Sequence, residues 1–338
     1  MTGHWMQMLL ALGVQNLWQG ALLCLLAALL PGPGRLGAEA RSWLLCAAFV
    51  LAAALPLAVL MPRHAPPMDP VASSRVQEPL RSSMATPHDP VHRKDAVAPL
   101  ATDQSQPAPK VLALAWLLGA LWSLGRVVAG GLQAQRIRAA AQRAPDLERL
   151  MASELPGGAS IAFSDVPGPM VVGLRRPCIL VPRRFADVLE PSALVDLLRH
   201  EIAHIHRRDL WTGTVQRLIL GLYWWNPFMR LLGKRLDLVR EMACDERAAV
   251  RSGGGHAYAH SLLAGADTWR ASRAHPGILA VGMFGNRTGL SRRIDGLIDL
   301  QARPARRGTG VAWIALCLLA LAAHVGVTLA ATPRQGRN

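Results

Sequence analysis

His200, Glu201 and His204 form one copy of the pattern H-E-x-x-H. On an α-helix the two histidines are one turn apart, so both imidazoles leave the same face and can grip a single metal ion. Glu201 lies within the same arc. There its carboxylate can stay off the metal and take a proton from a water held beside it. The surrounding run supports a helix. Glu190, Pro191 and Ser192 offer a start signal, and Leu194, Leu197, Leu198, Ile202 and Ile205 recur at helical spacing. A surface helix with solvated His and Glu would carry the same letters, so the metal reading needs a third ligand.

A catalytic zinc site usually takes three protein groups and leaves one position open. Residues 239–246 read V-R-E-M-A-C-D-E, again compatible with a helix. Glu241 is the expected third ligand. Asp245, one turn later, can accept a hydrogen bond from the far nitrogen of a ligating histidine and fix its tautomer. Asp209 is expected to support the active-site helix through a hydrogen bond. Asp196, Asp237 and Glu246 are read as solvated acids.

These segments resemble a known group, the membrane zinc peptidases of the bacterial beta-lactam sensor-transducer and antirepressor type. The resemblance rests on H-E-I-A-H-I-H-R-R-D at 200–209, W-W-N-P at 224–227 and R-E-M-A-C-D-E-R-A at 240–248. Weaker support comes from G-L-R-R-P at 173–177, I-L-V-P at 179–182 and L-S-R-R-I at 290–294. The E-x-x-x-D arrangement is also similar to that of other membrane gluzincins, including the prenyl-protein peptidases. The resemblance implies one Zn2+ ion per chain, held by His200, His204 and Glu241, with Glu201 as general base. It further implies a substrate that is a cytoplasmic transcriptional repressor or the chain itself.

The elements that must position these groups are unlike those of a soluble domain. The 338 residues are 51% hydrophobic with a net charge of +15, and the apolar excess is Leu, Ala and Val in blocks. About 20 such residues cross a bilayer as a helix. Residues 5–30, 42–61 and 111–128 and a last block at 310–329 fit that length. The region before the first block lacks the Lys and Arg of a secretory n-region, which places the N-terminus outside. Gln15, Asn16 and Gln19 give that helix a polar face that should point into a bundle. Arg35 and Arg41 mark the connection to the second span as cytoplasmic.

The expected architecture is a mainly α membrane protein of four transmembrane helices with an inserted α+β cytoplasmic gluzincin zinc-peptidase domain. Residues 1–61 carry two spans, and 62–109, rich in Pro, Ser and mixed charge, form an irregular external loop. The resemblance implies that this loop contacts a sensor. Residues 110–131 hold the third span, 132–309 the peptidase domain, 310–330 the fourth span and 331–338 a short external tail. The chain would sit in the bacterial cytoplasmic membrane with the peptidase domain facing the cytoplasm.

Within that domain, residues 132–155 read as a helix broken at Pro145. Short β-type runs follow at 161–163, 170–172 and 178–181. They could pair with an extended substrate or only pack the zinc helix; the sequence leaves both open. Residues 210–228, with Trp211, Tyr223, Trp224 and Trp225, read as an interfacial or partly re-entrant helix stopped by Asn226 and Pro227. A full span there would put His200 and Glu241 on opposite sides of the bilayer. His256 and His260 repeat the i, i+4 spacing without a Glu between them, and read as surface groups. His256, Tyr258 or His260 remains a candidate for stabilising an oxyanion.

The basic excess reads as attraction to anionic headgroups. No helix-turn-helix or aromatic-basic pattern points to direct nucleic-acid binding. The expected partners are therefore the lipid bilayer and a protein substrate, with a homodimer left open. The five cysteines show no C-x-x-C, and Cys244 reads as a buried thiol or a metal neighbour. Beta-lactam sensors of the resembled type carry a penicillin-binding domain after the last span, with a serine in S-x-x-K. No S-x-x-K occurs here, so direct covalent sensing is not expected of this chain. The rival to a peptidase is a noncatalytic membrane transducer or scaffold on the same fold, which the intact Glu201 opposes.

Overall fold

A computed structural model describes residues 2–28, 37–54, 107–271 and 287–302. The external loop, the fourth span and the tail expected from the sequence lie outside them. The described part is mostly helical with one small sheet. Two helices open the chain, α1 (Thr2–Ala28) and α2 (Ala38–Ala54). The third, α3 (Pro107–Ala140), runs unbroken well past the expected end of its span. Among the described residues, Val111–Ala140 is the one helix long and apolar enough, by length and composition, to cross a membrane. The expected break at Pro145 falls earlier, after Ala140. Pro145 instead opens a short helix, α4 (Pro145–Leu150), where its missing N–H costs nothing.

The sheet contains β1 (Gln142–Arg143), β2 (Ser160–Phe163), β3 (Met170–Val172) and β4 (Cys178–Val181) in the order β1-β2-β4-β3. Three of the four strands sit where the β-type runs stand; β1, only two residues long, is too short to leave a pattern. β2 and β4 are parallel, with Ile161 opposite Ile179, while β1 and β3 pair antiparallel at the edges. Gly173, at φ 93, makes the turn after β3. A Cβ there would stand 2.6 Å from the Arg176 carbonyl oxygen, so the left-handed turn and the close approach both require glycine.

Every residue of β4 is buried because both faces of the sheet are covered. Ile161, Ile179 and Val181 face a core shared with α6 (Pro191–His206) and α9 (Gly255–Ala271), including Leu197, Leu198, Ile202, Tyr258 and Leu262. Ala162, Cys178 and Leu180 face the end of α3 through Ala134 and Ile137. Each large apolar side chain buried in this way contributes about 1.5–3 kcal/mol. A sheet wedged between α3 and α6 thus ties the apolar helix to the H-E-x-x-H helix.

After α6, Arg208 adopts a left-handed conformation, φ 58, and α7 (Asp209–Leu222) leaves in a new direction. The α7 helix ends at Leu222, ahead of the expected stop. Asn226 caps the next helix, α8 (Pro227–Arg251), by accepting from the Phe228 and Met229 N–H groups. Leu232, Leu236, Val239 and Ala243 of α8 pack against Leu45, Phe49 and Ala52 of α2. The polar face of α1 points inward as expected. Asn16 is fully buried, and its amide donates to the Ala52 carbonyl at 2.9 Å. α5 (Arg183–Val188) and α10 (Arg287–Ala302) complete the described fold, and Leu290 and Leu297 of α10 join the α6–α9 core.

Candidate metal centre

α6 starts at Pro191, in its first turn, with Glu190 as the residue before it. Its apolar stripe drives one face against β4 and α9, and that burial takes His200 and Glu201 inside, 0% and 3% exposed. The His200 and His204 rings meet edge to face, with centroids 4.9 Å apart. α8 brings Glu241 to the same point. One ligand atom from each of His200, His204 and Glu241 lies within 4.8 Å of the others. Glu241 Oε2 is 3.4 Å from His200 Nε2, and Oε1 is 3.5 Å from His204 Nε2.

Those separations are long for hydrogen bonds and suit atoms facing a common ligand. His200 Nε2 is buried without a hydrogen-bond partner, and Glu241 Oε2 beside it has only the Arg293 guanidinium, at 3.2 Å. A buried nitrogen left in this way is costly unless something sits against it. Two imidazole nitrogens and one carboxylate oxygen are also the donor set that zinc prefers at an open site. The residues present therefore fit the metal.

The far nitrogens are fixed. His200 Nδ1 is 2.9 Å from Asp245 Oδ1, and the Tyr258 hydroxyl donates to the same oxygen at 3.0 Å. His204 Nδ1 lies 2.9 Å from Asp209 Oδ2. An ionised carboxylate only accepts, so the Nδ1 beside each one carries a proton, and Nε2 is the ring atom that each histidine turns toward Glu241. Asp209 is itself held by Arg207 Nε at 3.1 Å and by the Cys244 thiol at 3.4 Å.

The electrostatics favour a cation. Burial works against a charge on His200, but Asp245 and Glu241 outweigh it and carry its pKa up to about 9. Burial pushes Glu241 up, yet His200, His204 and Arg293 together hold it down at about 2. Burial dominates at Glu201 and raises it above the usual carboxylate value, in the direction a general base requires. A second trio, His204, Asp209 and Cys244, also lies within 4.8 Å. Its His204 nitrogen is already committed to Asp209, and burial keeps the Cys244 thiol well above its ordinary pKa. It reads as the support of His204, with Cys244 a buried, protonated thiol.

Other expectations are corrected. Asp196 is buried, not solvated; it accepts from Ser261 Oγ at 2.7 Å and Ser252 Oγ at 2.5 Å. One turn before His200 on α6, it shares the inward face. Glu246 is also drawn in, accepting the Ala38 N–H at the start of α2 at 3.0 Å. Asp237 stays largely exposed and pairs with Arg240. His256 and His260 lie on the exposed side of α9. Tyr258 is buried, with its hydroxyl 3.1 Å from His200 Nδ1, on the ring edge remote from Glu241.

Sequence reasoning missed Arg293. It lies on α10, is 2% exposed, and donates to both oxygens of Asp245 at 2.7 Å. Its Nη1 reaches within 3.2 Å of Glu241 Oε2. A signal was present, because Leu290, Ile294 and Leu297 form the apolar stripe of α10 and Arg293 stands within it. A cation there must find a buried partner.

The sequence pattern described as BlaR1 peptidase M56 matches residues 16–297. The chain belongs to the BlaR1 peptidase M56 family. Family membership brings a metallopeptidase fold, and the grouping of His200, His204 and Glu241 accords with it. The chain is 28% identical over 80 residues to the regulatory protein BlaR1 of Bacillus licheniformis. It is 24% identical over 82 residues to the methicillin resistance mecR1 protein of Staphylococcus aureus. Each match covers 24% of this chain, but only 13% of the Bacillus protein and 14% of the staphylococcal one. These M56 relatives carry regulatory and resistance names over lengths that the match does not span.

Proposed function

We propose that this chain is an integral-membrane zinc endopeptidase acting in signal transduction on the cytoplasmic side. Its substrate is a protein, either a transcriptional repressor or the chain itself. The observation that carries this reading is the convergence of His200, His204 and Glu241, with His200 Nε2 buried and without a hydrogen-bond partner. Membrane residence is supported by α3, whose Leu114, Leu118, Leu121 and Trp122 are exposed along an apolar helix. It is supported further by α1 and α2, which pack on α8 and lead into that helix. In this reading α1, α2 and α3 each cross the bilayer.

Zinc held by His200, His204 and Glu241 would supply Lewis acidity to the attacking water and the scissile carbonyl. Glu201 accepts the water proton as the oxygen bonds to the carbonyl carbon, then returns it to the amine nitrogen as the C–N bond breaks. Asp245 and Asp209 keep both imidazoles aimed while this happens.

The test compares purified wild type with Glu201→Gln for zinc content and for cleavage of candidate proteins or of the chain. One zinc per chain in both, with cleavage in wild type alone, supports the proposal. Equal cleavage removes the assignment of Glu201. Stoichiometric zinc without proteolysis in either protein favours a noncatalytic transducer.

A further inference from the structure

α7 and α8 run antiparallel, joined by a turn at residues 223–226. The Gln216 amide donates to the Gly233 carbonyl at 3.1 Å and to Asp237 at 3.0 Å, and accepts from Arg240 at 2.7 Å. The turn is wrapped by all three apolar helices. Trp224 Nε1 donates to the Trp116 carbonyl of α3 at 3.2 Å, and the indole lies against Gly119. The Tyr223 hydroxyl donates to the Ala53 carbonyl of α2 at 2.8 Å. Asn226 is fully buried and bonds Asn16 of α1 at 2.5 Å. Backbone that turns inside hydrocarbon must have its polar groups satisfied by protein: Asn226 Oδ1 accepts from the Phe228 and Met229 N–H groups, and the Asn226 N–H donates to the Tyr223 carbonyl at 2.9 Å.

Two rulers give the depth of the turn. At about 1.5 Å per residue, Trp116 stands about 15 Å along α3 from Arg126, the first charge after the uncharged run that begins at Val111. On α2, Ala52 stands about 17 Å from Arg41 by the same measure. Half the hydrocarbon core is about 15 Å. Both rulers put the turn near the midplane. The outer face of α7 accords with this, since Trp211, Val215, Leu218 and Leu222 are 41–48% exposed in one helical stripe. That stripe continues the exposed apolar surface of α3, against which α7 packs with Gly221 on Leu124.

We propose that α7 and α8 form a re-entrant hairpin whose outer stripe is covered by lipid acyl chains and whose turn reaches the bilayer midplane. Glu241 then lies about 22 Å along α8 from Asn226, which is about 7 Å beyond the hydrocarbon edge, among the headgroups. A second contact agrees with this level. Arg207, beside the His204 partner Asp209, donates to Ser42 at the charged end of α2 at 2.9 Å. Resting on the peptidase reading above, this confines the substrate to a polypeptide segment presented at the membrane surface.

The experiment uses the full chain in phosphatidylcholine vesicles. A nitroxide is carried on p-acetylphenylalanine placed singly at Trp211, Val215, Leu218 or Leu222, which leaves the native cysteines intact. Leu118 on α3 serves as the membrane reference and Asp187 on α5 as the aqueous one. The ratio of oxygen to nickel-chelate collisions should climb from Trp211 to Leu222, ending several-fold above Asp187 and close to Leu118. Ratios at Leu218 and Leu222 equal to that of Asp187, with Leu118 still deep, overturn the hairpin alone. One uniform ratio along the stripe means a helix lying flat and also overturns it. If Leu118 is as wet as Asp187, the membrane reading fails and the hairpin with it. None of these readings needs a metal ion or hydrolysis, so Glu201→Gln should give the same profile.

Discussion

Arg293 holds Asp245 through two hydrogen bonds of 2.7 Å, while its remaining terminal nitrogen stands 3.2 Å from the carboxylate of Glu241. One guanidinium thus fixes the support of His200 and the orientation of Glu241 at once. Replacing it by Met leaves two buried carboxylates without their cation, and breaking a buried pair in this way costs about 3–5 kcal/mol. Arg293→Lys should recover little of that, because a point charge cannot serve both groups in the same fork geometry. Thermal unfolding of the three proteins in detergent, together with zinc titration, measures both effects.

Asp209 and Asp245 each orient a histidine through Nδ1. Asp209→Asn and Asp245→Asn should each weaken zinc binding by about 10–100-fold, since an amide can offer its N–H where an acceptor is needed. Competition against a chromophoric chelator reads this directly. Tyr258→Phe removes one donor to Asp245 and should cost less, about 1 kcal/mol of stability.

Glu154 lies between Arg199 Nε at 3.0 Å and Arg251 Nη1 at 2.8 Å, joining the loop before β2 to α6 and α8. Burial pushes its pKa up, but the two arginines outweigh burial and hold it below the usual carboxylate value. A carboxyl depressed in the folded state stabilises fully above its unfolded pKa, about 4.3, and loses that contribution as pH falls through the lower folded value. Glu154→Gln should therefore be about 1 kcal/mol less stable than wild type at neutral pH. The gap should close in acid. Melting temperatures across a pH series show whether it does.

Gly119 lets the Trp224 ring lie on α3, where a Cβ would stand 2.2 Å from the indole. Gly119→Val forces that ring away and breaks the hydrogen bond to Trp116, at a cost of about 1–3 kcal/mol from overpacking. Gly125, which has open space around its own Cβ position, should accept alanine with little change. Melting of the two variants side by side separates the packing effect from a general intolerance of α3 to substitution.

How much could be read in advance follows from how local each cause is. The strand runs at 170–172 and 178–181 were legible because β-branched and apolar residues cluster between Gly and Pro. Pro191 marked the start of α6 because proline suits only the first turn. The extension of α3 to Ala140 was not legible: Leu132–Ala140 is held by the sheet, through Ile137 and Leu180, and no local signal records that contact. Asp196 looked like a surface acid because its partners, Ser252 and Ser261, come from elements far along the chain. His200, His204 and Glu241 stood out by type and spacing. Arg293 was hidden in an R-R pair, where only its phase against Leu290 and Leu297 separates it from a solvated neighbour.

Glu246 accepts the first N–H of α2 only five positions beyond Glu241 on the same rigid helix. The start of α2 and the carboxylate that faces the two histidines are thus tied to one helix, so a change in the position of α2 acts on α8 within about a turn and a half of Glu241.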